Sequence, residues 1–259
     1  MASGDKKNNR PRRYPFRKIW QHFLDGQPEY LARHYWWAYL WRIGVWFFDH
    51  QPIINAILFG QYRKLDQRAL RDCTTNRPPG RLLQLTCVYG ELTPSLLRAL
   101  DGEDMYLMDV AAIQLAAARG KLSDSEKKRL LAARMNAESL AYRDDAFATI
   151  LIFFLLHELP PDARRHALDE ALRVLRPGGR LVITEYGHQP RHHLLYRLWP
   201  MRVVLLRLEP FLGAFWREDL TASLQQHARA HGKTLRQVDE FHCFDAFYRV
   251  CMYELDQAK

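Results

Sequence analysis

Cysteine is scarce in this chain of 259 residues, and its four copies stand far apart, at Cys73, Cys87, Cys243 and Cys251. No CxxC pair occurs, so the sequence provides neither a disulfide framework nor a cysteine zinc site, and it is typical of a reducing compartment. Hydrophobic residues make up 48% of the chain. That share is enough to bury a sizeable core, and it argues against global disorder.

Long apolar runs are also missing. The uncharged stretches at 52–62 and 146–156 are well short of the roughly 18 apolar residues that a transmembrane helix needs. No apolar segment follows the basic start of the chain, as a signal peptide would require, although a transit peptide is not excluded. We therefore expect no segment that spans a bilayer.

Acidic residues are nearly absent from the first part of the chain, and the net charge is +9. Residues 5–18 contain seven lysines and arginines and only Asp5 as an acid. We expect residues 1–20 to form a disordered basic tail, which either binds an anionic surface or keeps the protein soluble. No groove-reading motif accompanies this tail, so no nucleic-acid partner is expected.

An aromatic segment follows the tail, with four of the seven tryptophans between Trp36 and Trp46. The pattern predicts a helix at 30–49, a break at 49–52 and a second helix at 53–65. Indole and phenol side chains favour the headgroup region of a membrane, whereas a buried helical hairpin would cap the core instead. Both interpretations can hold together, and we favour membrane contact for this extension at 21–75.

An α/β pattern begins at residue 76 and continues to the end of the chain. Apolar runs predict seven strands, at 82–87, 105–109, 135–137, 146–155, 180–185, 234–242 and 246–255. Helices are expected between most of them, including one opened by the capping box at Ser123–Glu126 and one after Pro160. The fold class predicted is α/β, with a Rossmann-like seven-stranded sheet closed by a hairpin. The stretch 187–216 is either a lid that touches the membrane or an ordinary packing helix.

The first strand, loop and helix of this domain, residues 82–100, are typical of a nucleotide-binding unit. Such units bind their ligand beyond the carboxyl end of the first strand, where Gly90 stands in the loop. Asp109 ends the second strand, 25 positions after Gln84, where an acid would reach a ribose. A helix N-cap is the alternative role for Asp109.

Residues 172–179, with Asn136–Ala137 and residues 155–158, resemble segments of class I S-adenosylmethionine (SAM) methyltransferases. In that family the loop usually reads acid, x, Gly, x, Gly, x, Gly, whereas here Gln84, Thr86 and Val88 replace the acid and the first two glycines. The resemblance implies a SAM pocket that is reshaped by the added side chains, or a degenerate fold that binds nothing. The cofactor-binding residues it implies are Gln84, Thr86, Val88, Tyr89, Gly90, Asp109, Val110, Asn136, Ala137 and Phe154.

Four further segments, at 35–40, 55–63, 87–90 and 153–158, are together similar to the RquA family of rhodoquinone biosynthesis proteins. This resemblance implies a quinone-modifying enzyme that acts on ubiquinone and replaces a ring methoxy group by an amino group. SAM would be the amino donor, and Mn²⁺ would be required. It also implies a peripheral protein at the membrane surface, on the cytoplasmic face of a bacterial inner membrane or the matrix side of a mitochondrial one.

Loss of the acid at position 84 fits this chemistry, because a carboxylate there would keep the donor amine protonated. The catalytic residues expected are Tyr89, His157, Glu158 and Glu185, and the manganese ligands expected are Glu158, Glu185 and His188. A structural role at a helix start is equally open for His157–Glu158, and Tyr89 could simply fill volume. His192 and His193 are expected to be lid or surface residues.

Two other functions stay open. The first is an ordinary O- or C-methyltransferase that acts on a lipophilic phenol or quinol and is indifferent to manganese. The second is a non-catalytic scaffold of the quinone pathway bound to the membrane.

Overall fold

The computed structural model describes residues 19–256. The predicted disordered tail at 1–20 therefore lies outside the described residues, apart from Ile19 and Trp20. These two begin a short 3-10 helix, Ile19–Phe23.

The centre of the molecule is one seven-stranded sheet, as the apolar runs predict. Its strands are β1 (Leu82–Leu85), β2 (Met105–Asp109), β3 (Leu130–Arg134), β4 (Phe147–Phe153), β5 (Leu175–Tyr186), β6 (Leu235–Cys243) and β7 (Tyr248–Leu255). Their spatial order is β3-β2-β1-β4-β5-β7-β6. The first five strands are parallel, and β7 runs antiparallel between β5 and β6. This confirms the predicted Rossmann-like fold of the class I methyltransferase type.

Strand β4 shows why the pattern was legible in the sequence. All seven of its residues are buried, because helices cover both faces of a parallel sheet. Its neighbour β5 is buried over its last eight residues. The carboxyl ends of β1, β2, β4 and β5 therefore meet at one edge, which is where parallel sheets of this class place their ligands.

The helices lie before, between and after the strands. Four precede the sheet: α1 (Glu29–Tyr35), α2 (Arg42–Phe48), α3 (Gln51–Ile57) and α4 (Tyr62–Thr74). Four connect the parallel strands: α5 (Leu92–Ala99), α6 (Ala112–Gly120), α7 (Asp124–Arg129) and α8 (Pro161–Val174). The others are α9 (Leu194–Arg197), α10 (Trp199–Leu208), α11 (Leu212–Phe215) and α12 (Leu220–Ala230). The capping box at Ser123 opens α7 as predicted.

The third strand was predicted in the wrong place. It lies at Leu130–Arg134 and not at 135–137, because the chain passes directly from α7 into the strand. The Met135 N–H still bonds to the Asp109 carbonyl oxygen, and the chain then turns, with Asn136 bridged to Ser139. Leucine and alanine at 130–133 are as compatible with a helix as with a strand, so periodicity did not show where α7 ends and β3 begins.

The predicted long helix at 30–49 is interrupted. After α1 the chain forms a π-helical turn, Trp36–Leu40, and Trp41 is extended before α2 begins. Trp41 therefore ends one apolar helix and starts another at a different angle. The predicted second helix, 53–65, is likewise two helices, α3 and α4, separated at Leu58–Gln61.

Helix α4 shares its core with the sheet. Leu65, Ala69 and Cys73 are fully buried in the main hydrophobic cluster. Arg180 of β5 donates to the carbonyl oxygens of Asp72, Thr75 and Asn76, which satisfies the end of the helix. The division of the chain at residue 75 and the role of 187–216 as a lid stay predictions.

No helix within residues 19–256 is both long enough and apolar enough to cross a membrane.

Candidate functional site

A deep cleft opens at the carboxyl edge of the sheet. It encloses about 1130 Å³ free of protein atoms, including the part open to solvent. One half is lined by the ends of β1 and β2, and the other by the end of β4, the insertion after β5 and the N-terminal helices. Of the predicted cofactor and catalytic residues, those in the cleft wall are Thr86, Val88, Tyr89, Asp109, Val110, Asn136, Ala137, Phe154, His157 and Glu158.

The loop after β1 keeps a glycine-like backbone at a threonine. Thr86 has φ +79°, a left-handed conformation that is costly for a β-branched residue. Gln84 is fully buried, and its amide donates to the Thr86 carbonyl oxygen at 2.9 Å while accepting from the Thr93 hydroxyl at 3.0 Å. Gln84 therefore supports the loop, and both its amide nitrogen and its amide oxygen are already engaged in hydrogen bonds. Only the Thr86 and Val88 side chains enter the space that the missing glycines would leave open.

Gly90 ends this loop where the N-terminal extension closes over it. Its φ is +82°, and a Cβ there would lie 2.5 Å from the Tyr62 hydroxyl oxygen. Tyr62 donates to the Tyr89 carbonyl oxygen at 2.9 Å, and the Gly90 N–H donates to an Asp49 carboxylate oxygen at 3.0 Å. Gly90 is required here because the extension packs against its backbone.

Tyr89 faces the extension with its ring and its hydroxyl. Its ring stacks on Tyr39 with centroids 5.7 Å apart. Its hydroxyl donates to the Ala38 carbonyl oxygen and accepts from the Gln114 amide at 2.9 Å. Tyr89 therefore joins the loop to the aromatic segment, and its phenol already has two partners.

Asp109 borders the cleft and accepts from two backbone N–H groups, but it is not the N-cap of α6, which is Ala111. One carboxylate oxygen accepts from the Ala111 N–H at 2.7 Å, and the other accepts from the Cys87 N–H at 2.8 Å. Burial raises the pKa of Asp109 to about 6, against the lowering effect of these N–H groups. Each oxygen keeps a further lone pair, so the carboxylate can still accept from a ribose hydroxyl.

Beside Asp109, the walls expected on the adenine side are assembled from three loops. Val110 and Ala137 lie in the cleft wall with Asn136, whose amide bonds to Glu138. Phe154 follows β4 and, like Thr86, has a positive φ, here +53°. Two strained residues thus flank the cleft, at the ends of the neighbouring strands β1 and β4.

The opposite half of the cleft contains a buried histidine held by a buried carboxylate. His157 Nδ1 lies 2.9 Å from a Glu185 oxygen, and both side chains are almost inaccessible to solvent. Glu185 also accepts from the backbone N–H groups of Leu156 at 2.6 Å and Tyr186 at 3.1 Å. Glu185 does not line the cleft, so it positions His157 and leaves Nε2 facing the cavity.

Glu158 and Glu209 face that Nε2. The Glu209 oxygen lies 3.6 Å from it, and the Glu158 oxygen lies 4.0 Å from it. Burial raises the pKa of Glu158 to about 8, with His157 opposing the change, and it raises the pKa of Glu209 also. Burial would lower the pKa of His157, but the three carboxylates around it, Glu185 first, raise it to about 9. Burial of the two carboxyl groups and the excess of negative over positive charge therefore both favour retention of protons in this cluster at neutral pH.

Three tyrosines of the N-terminal extension donate to carboxylates around the cleft. Tyr39 donates to Glu158, and Tyr35 donates to Glu209 at 3.1 Å. Tyr30 donates to Glu138 at 3.0 Å. The aromatic segment is thus part of the site, because its hydroxyl groups donate hydrogen bonds to carboxylates at the cleft.

A divalent cation fits the cluster by chemistry and spacing. His157, Glu158 and Glu209 each offer a ligand atom, and these atoms lie within 4.8 Å of one another. Ligand distances of roughly 2.1–2.6 Å can span such a group. The donors differ from the predicted set of Glu158, Glu185 and His188. Glu185 lies behind His157, and His188 Nε2 lies 3.4 Å from an Arg249 guanidinium nitrogen, so neither faces the cavity with the others.

The sequence reasoning missed Glu209 and the tyrosines. Glu209 carried one signal: it is the sole acidic residue between Glu185 and Glu218, in a stretch rich in arginine and leucine. Tyr35 and Tyr39 stand four positions apart in the aromatic segment, and their rings were interpreted as favouring contact with a membrane. Their partners are more than a hundred positions away in the chain, so no local pattern could identify them.

Comparison with models of protein families shows to which family the chain belongs. Residues 48–240 match the model of the ubiE/COQ5 methyltransferase family, and this region includes most of the cleft wall and most of the sheet. The chain belongs to the ubiE/COQ5 methyltransferase family. The match begins after most of the aromatic segment, so the tyrosines that close the cleft lie before the matched region.

Two curated relatives agree with this family assignment. The ubiquinone/menaquinone biosynthesis C-methyltransferase UbiE of Vibrio parahaemolyticus is 34% identical over 137 residues, 52% of each chain. The demethylmenaquinone methyltransferase of Thermus thermophilus is 33% identical over 166 residues, 62% of this chain and 70% of that one. The chain thus spans about half the length of the Vibrio relative.

Solved structures support the fold alone. The N-methyltransferase NodS from Bradyrhizobium japonicum WM9 superposes with a TM-score of 0.53 at 16% identity. The likeness covers 76% of this chain and 97% of NodS.

The contact at Gly90 generates a stability prediction. Gly90→Ala and Gly102→Ala each place a side chain at positive φ, which costs about 1 kcal/mol. Only at Gly90 does the new Cβ meet a buried tyrosine, and overpacking of this kind costs a further ~1–3 kcal/mol. Chemical denaturation should therefore show the larger loss for Gly90→Ala. Equal losses would mean that Tyr62 moves away freely and that the extension does not constrain the loop.

The buried cluster generates a pH prediction. Between the usual pKa of a glutamate and about 8, the folded protein holds the Glu158 proton while the unfolded chain does not. The folded state binds more protons, so stability falls as the pH rises through this window, and His157 extends the fall to about 9. Glu158→Gln removes one of these titrations and leaves those of Glu209 and His157, so the decline in free energy of unfolding should shrink by on the order of 1–3 kcal/mol.

Exposed Glu29→Gln is the matched control for this measurement and should keep the wild-type decline. Melting temperatures of the three proteins, recorded across the same pH series, check the prediction. Parallel curves for all three would contradict the assignment of the titration to Glu158.

Proposed function

We propose that the protein is a SAM-dependent transferase that modifies the ring of a lipophilic quinone or quinol. The first chemistry proposed is methyl transfer to a ring carbon. The observation that carries the proposal is the composition of one cleft, with a nucleoside-type half at the ends of β1 and β2. Its other half is aromatic and ends at the cluster of His157, Glu158 and Glu209. Family membership and the names of the two relatives support the quinone pathway.

The cleft fits SAM at its nucleoside end. Asp109 can accept from ribose hydroxyls, and Val110, Ala137 and Phe154 provide apolar walls for a purine. At the methionine end, the Thr86 and Val88 side chains narrow the cleft, but the methionine part of SAM can still reach the backbone of the loop. Bound there, SAM would supply an electrophilic methyl group.

The ring would lie in the other half of the cleft. Leu31, Ile54 and Ile57 provide an apolar wall that leads outward, as an isoprenoid tail requires. Tyr39 and Tyr186 provide aromatic surfaces near the cluster. A flat ring held there would have its oxygen atoms next to carboxyl and imidazole groups.

The cluster can perform the proton transfer that carbon methylation needs. A quinol ring carbon becomes nucleophilic when its neighbouring hydroxyl is deprotonated. With pKa values raised to about 8 and about 9, Glu158 and His157 are mostly protonated at neutral pH, and each would act as a general base in its deprotonated form, whose share rises with pH. Glu185 holds the imidazole in place, and the covered walls limit access of water.

Amino transfer from SAM to ubiquinone, as in the RquA proteins, is the second candidate. The loop favours it, because the Thr86 and Val88 side chains narrow the usual path of the methionine moiety. Gln84 also brings no carboxylate that would keep the donor amine charged. In this reaction the amine adds to the methoxy-bearing ring carbon and methanol leaves. The donor's Cα then loses its proton to a base, its electron pair reduces the quinone ring to the quinol, and an imine forms between the nitrogen and Cα. Water hydrolyses that imine, which leaves the amino group on the quinol and releases the carbon skeleton as a 2-keto acid.

Mn²⁺ belongs to this second candidate. The donor set of one imidazole and two carboxylates suits manganese, which prefers nitrogen and oxygen ligands. His157, Glu158 and Glu209 would hold the ion. Bound there, it would supply Lewis-acid activation of a quinone oxygen.

One doubly labelled donor separates the two chemistries. We expect SAM labelled in its methyl carbon and in its amino nitrogen, incubated with ubiquinone or its demethylated quinol, to pass one label to the ring. Mass spectrometry of the quinone identifies which label is retained. Carbon label with stoichiometric S-adenosylhomocysteine supports methyl transfer, and nitrogen label that depends on Mn²⁺ supports amino transfer. Neither label in any quinone product would refute the proposed function.

The loop offers a second test with a matched control. Thr86→Gly/Val88→Gly restores the missing glycines and leaves Gln84 with its two bonds. If the native reaction is amino transfer, this variant should lose at least about tenfold in nitrogen transfer, a cost of roughly 1.4 kcal/mol in orientation, and gain methyl transfer. Cys87→Ala in the same loop should change neither. Unchanged nitrogen transfer in the glycine variant would show that the loop side chains do not orient the donor.

A further inference from the structure

The insertion after β5 exposes an apolar surface that neither chemistry uses. Sixteen large hydrophobic side chains are exposed in the part of the chain that the structure describes, and seven of them lie between residues 194 and 208. They are Leu194, Leu198, Trp199, Met201, Val203, Val204 and Leu208. Such a concentration on one short segment marks an interaction site and is not ordinary surface composition.

Helix α10 presents this surface on one side. Leu205 and Leu206 pack toward the core, and none of the ten residues of the helix is fully buried. Trp199 is 66% exposed and Val204 is 53% exposed, and both point away from the packed side. The outer face of α10 is therefore apolar along its whole length, apart from Arg207.

The surface is continuous with the mouth of the cleft. At one end, Phe244 contacts both His193, just before α9, and Phe59, with ring centroids 4.6 Å and 5.5 Å away. Phe59 and Ile57 are themselves exposed, and Ile57 also lines the cleft. At the other end, α10 finishes at Glu209, which is part of the cluster. We call the seven side chains of 194–208 together with Ile57 and Phe59 the α10 surface.

Residues 187–208 of the insertion carry charge of one sign. Arg191, Arg197, Arg202 and Arg207 lie in the stretch 187–208, and that stretch contains no aspartate or glutamate. Arg191, Arg197 and Arg207 are exposed, whereas Arg202 lies over the Tyr196 ring. An apolar face edged by arginines complements the acyl chains and anionic headgroups of a bilayer surface.

We propose that the α10 surface docks on an anionic membrane, with α10 lying in the plane of the headgroups. The cleft mouth then opens toward the acyl chains, and a lipophilic substrate enters beside Ile57 without crossing water. This use of the surface rests on the proposed quinone substrate, but docking itself can be measured without turnover.

The test is binding of the full chain to vesicles. Sedimentation with phosphatidylcholine vesicles is compared with sedimentation with vesicles that also contain phosphatidylglycerol. Wild type should bind the anionic vesicles more tightly. Val204→Glu/Leu208→Glu should weaken that binding at least about tenfold, because two charges enter the apolar face. Val238→Glu, at an exposed apolar position on β6, should bind like wild type.

Arginine variants separate headgroup attraction from apolar contact. Arg197→Gln and Arg207→Gln should each weaken binding to anionic vesicles about fivefold and leave binding to neutral vesicles unchanged. A lipid brominated in its acyl chains should quench part of the tryptophan fluorescence, and Trp199→Phe should remove most of that part. This readout places the contact on α10 even if a charged variant folds poorly.

Unchanged vesicle binding in Val204→Glu/Leu208→Glu, or equal quenching in Trp199→Phe, would overturn the proposal. A wild-type dimer that the same double variant converts to monomer would overturn it as well, by assigning the surface to a second copy. Turnover of a quinone without an isoprenoid tail should survive in the double variant. Loss of docking with retained turnover therefore remains distinct from failure of the proposed function.

Discussion

Three carboxylates around one buried imidazole are the constraint on which the rest of the site depends. Removing Glu158, Glu185 and Glu209 from water is costly unless donors or protons compensate. Glu185 receives backbone N–H groups and His157, while Glu158 and Glu209 receive tyrosine hydroxyls and retain protons. These compensating groups come from the ends of β4 and β5, from α10 and from the N-terminal extension. The cluster is therefore complete only when all four parts have assembled, which couples the extension and the insertion to the catalytic edge of the sheet.

The aromatic extension has a double character for this reason. Tyr35 and Ala38 are buried against the site, whereas Trp46 is 65% exposed. Had the whole segment been an interfacial anchor, its tyrosine hydroxyls would have no fixed partners. Had it been only a cap, its tryptophans would be buried. It closes the cleft with one face and leaves the other exposed, and the tyrosines that close the cleft precede the region matched by the family model.

Short sequence patterns predicted those features of the structure that depend only on residues close together in the chain. The uniformly apolar β4, the turn at Gly90 and the capping box at Ser123 were legible because burial, backbone conformation and a three-residue spacing each leave a short signature. The third strand was misplaced because leucine and alanine suit either state. The cluster was found only in part, since His157 and Glu158 are neighbours in sequence, whereas Glu209 reaches them through the path of the insertion. No periodicity encodes that path, so partners of this kind require the tertiary structure.

The loop and the cluster act on opposite sides of the same cleft, and their combination limits what the reaction can be. Thr86 keeps a backbone conformation typical of glycine, at φ +79°, in spite of its strain. The loop after β1 therefore keeps its turn, while the Thr86 and Val88 side chains take up space in the cleft above it. A SAM donor bound above this loop would lie closer to the cluster, or its methionine part would be rotated relative to its nucleoside. In the proposed reaction, the acceptor atoms of a quinone ring would lie at the opposite wall, beside the carboxyl and imidazole groups of the cluster. The proposed chemistry would therefore depend on which end of the donor lies toward a ring that is placed beside His157, Glu158 and Glu209.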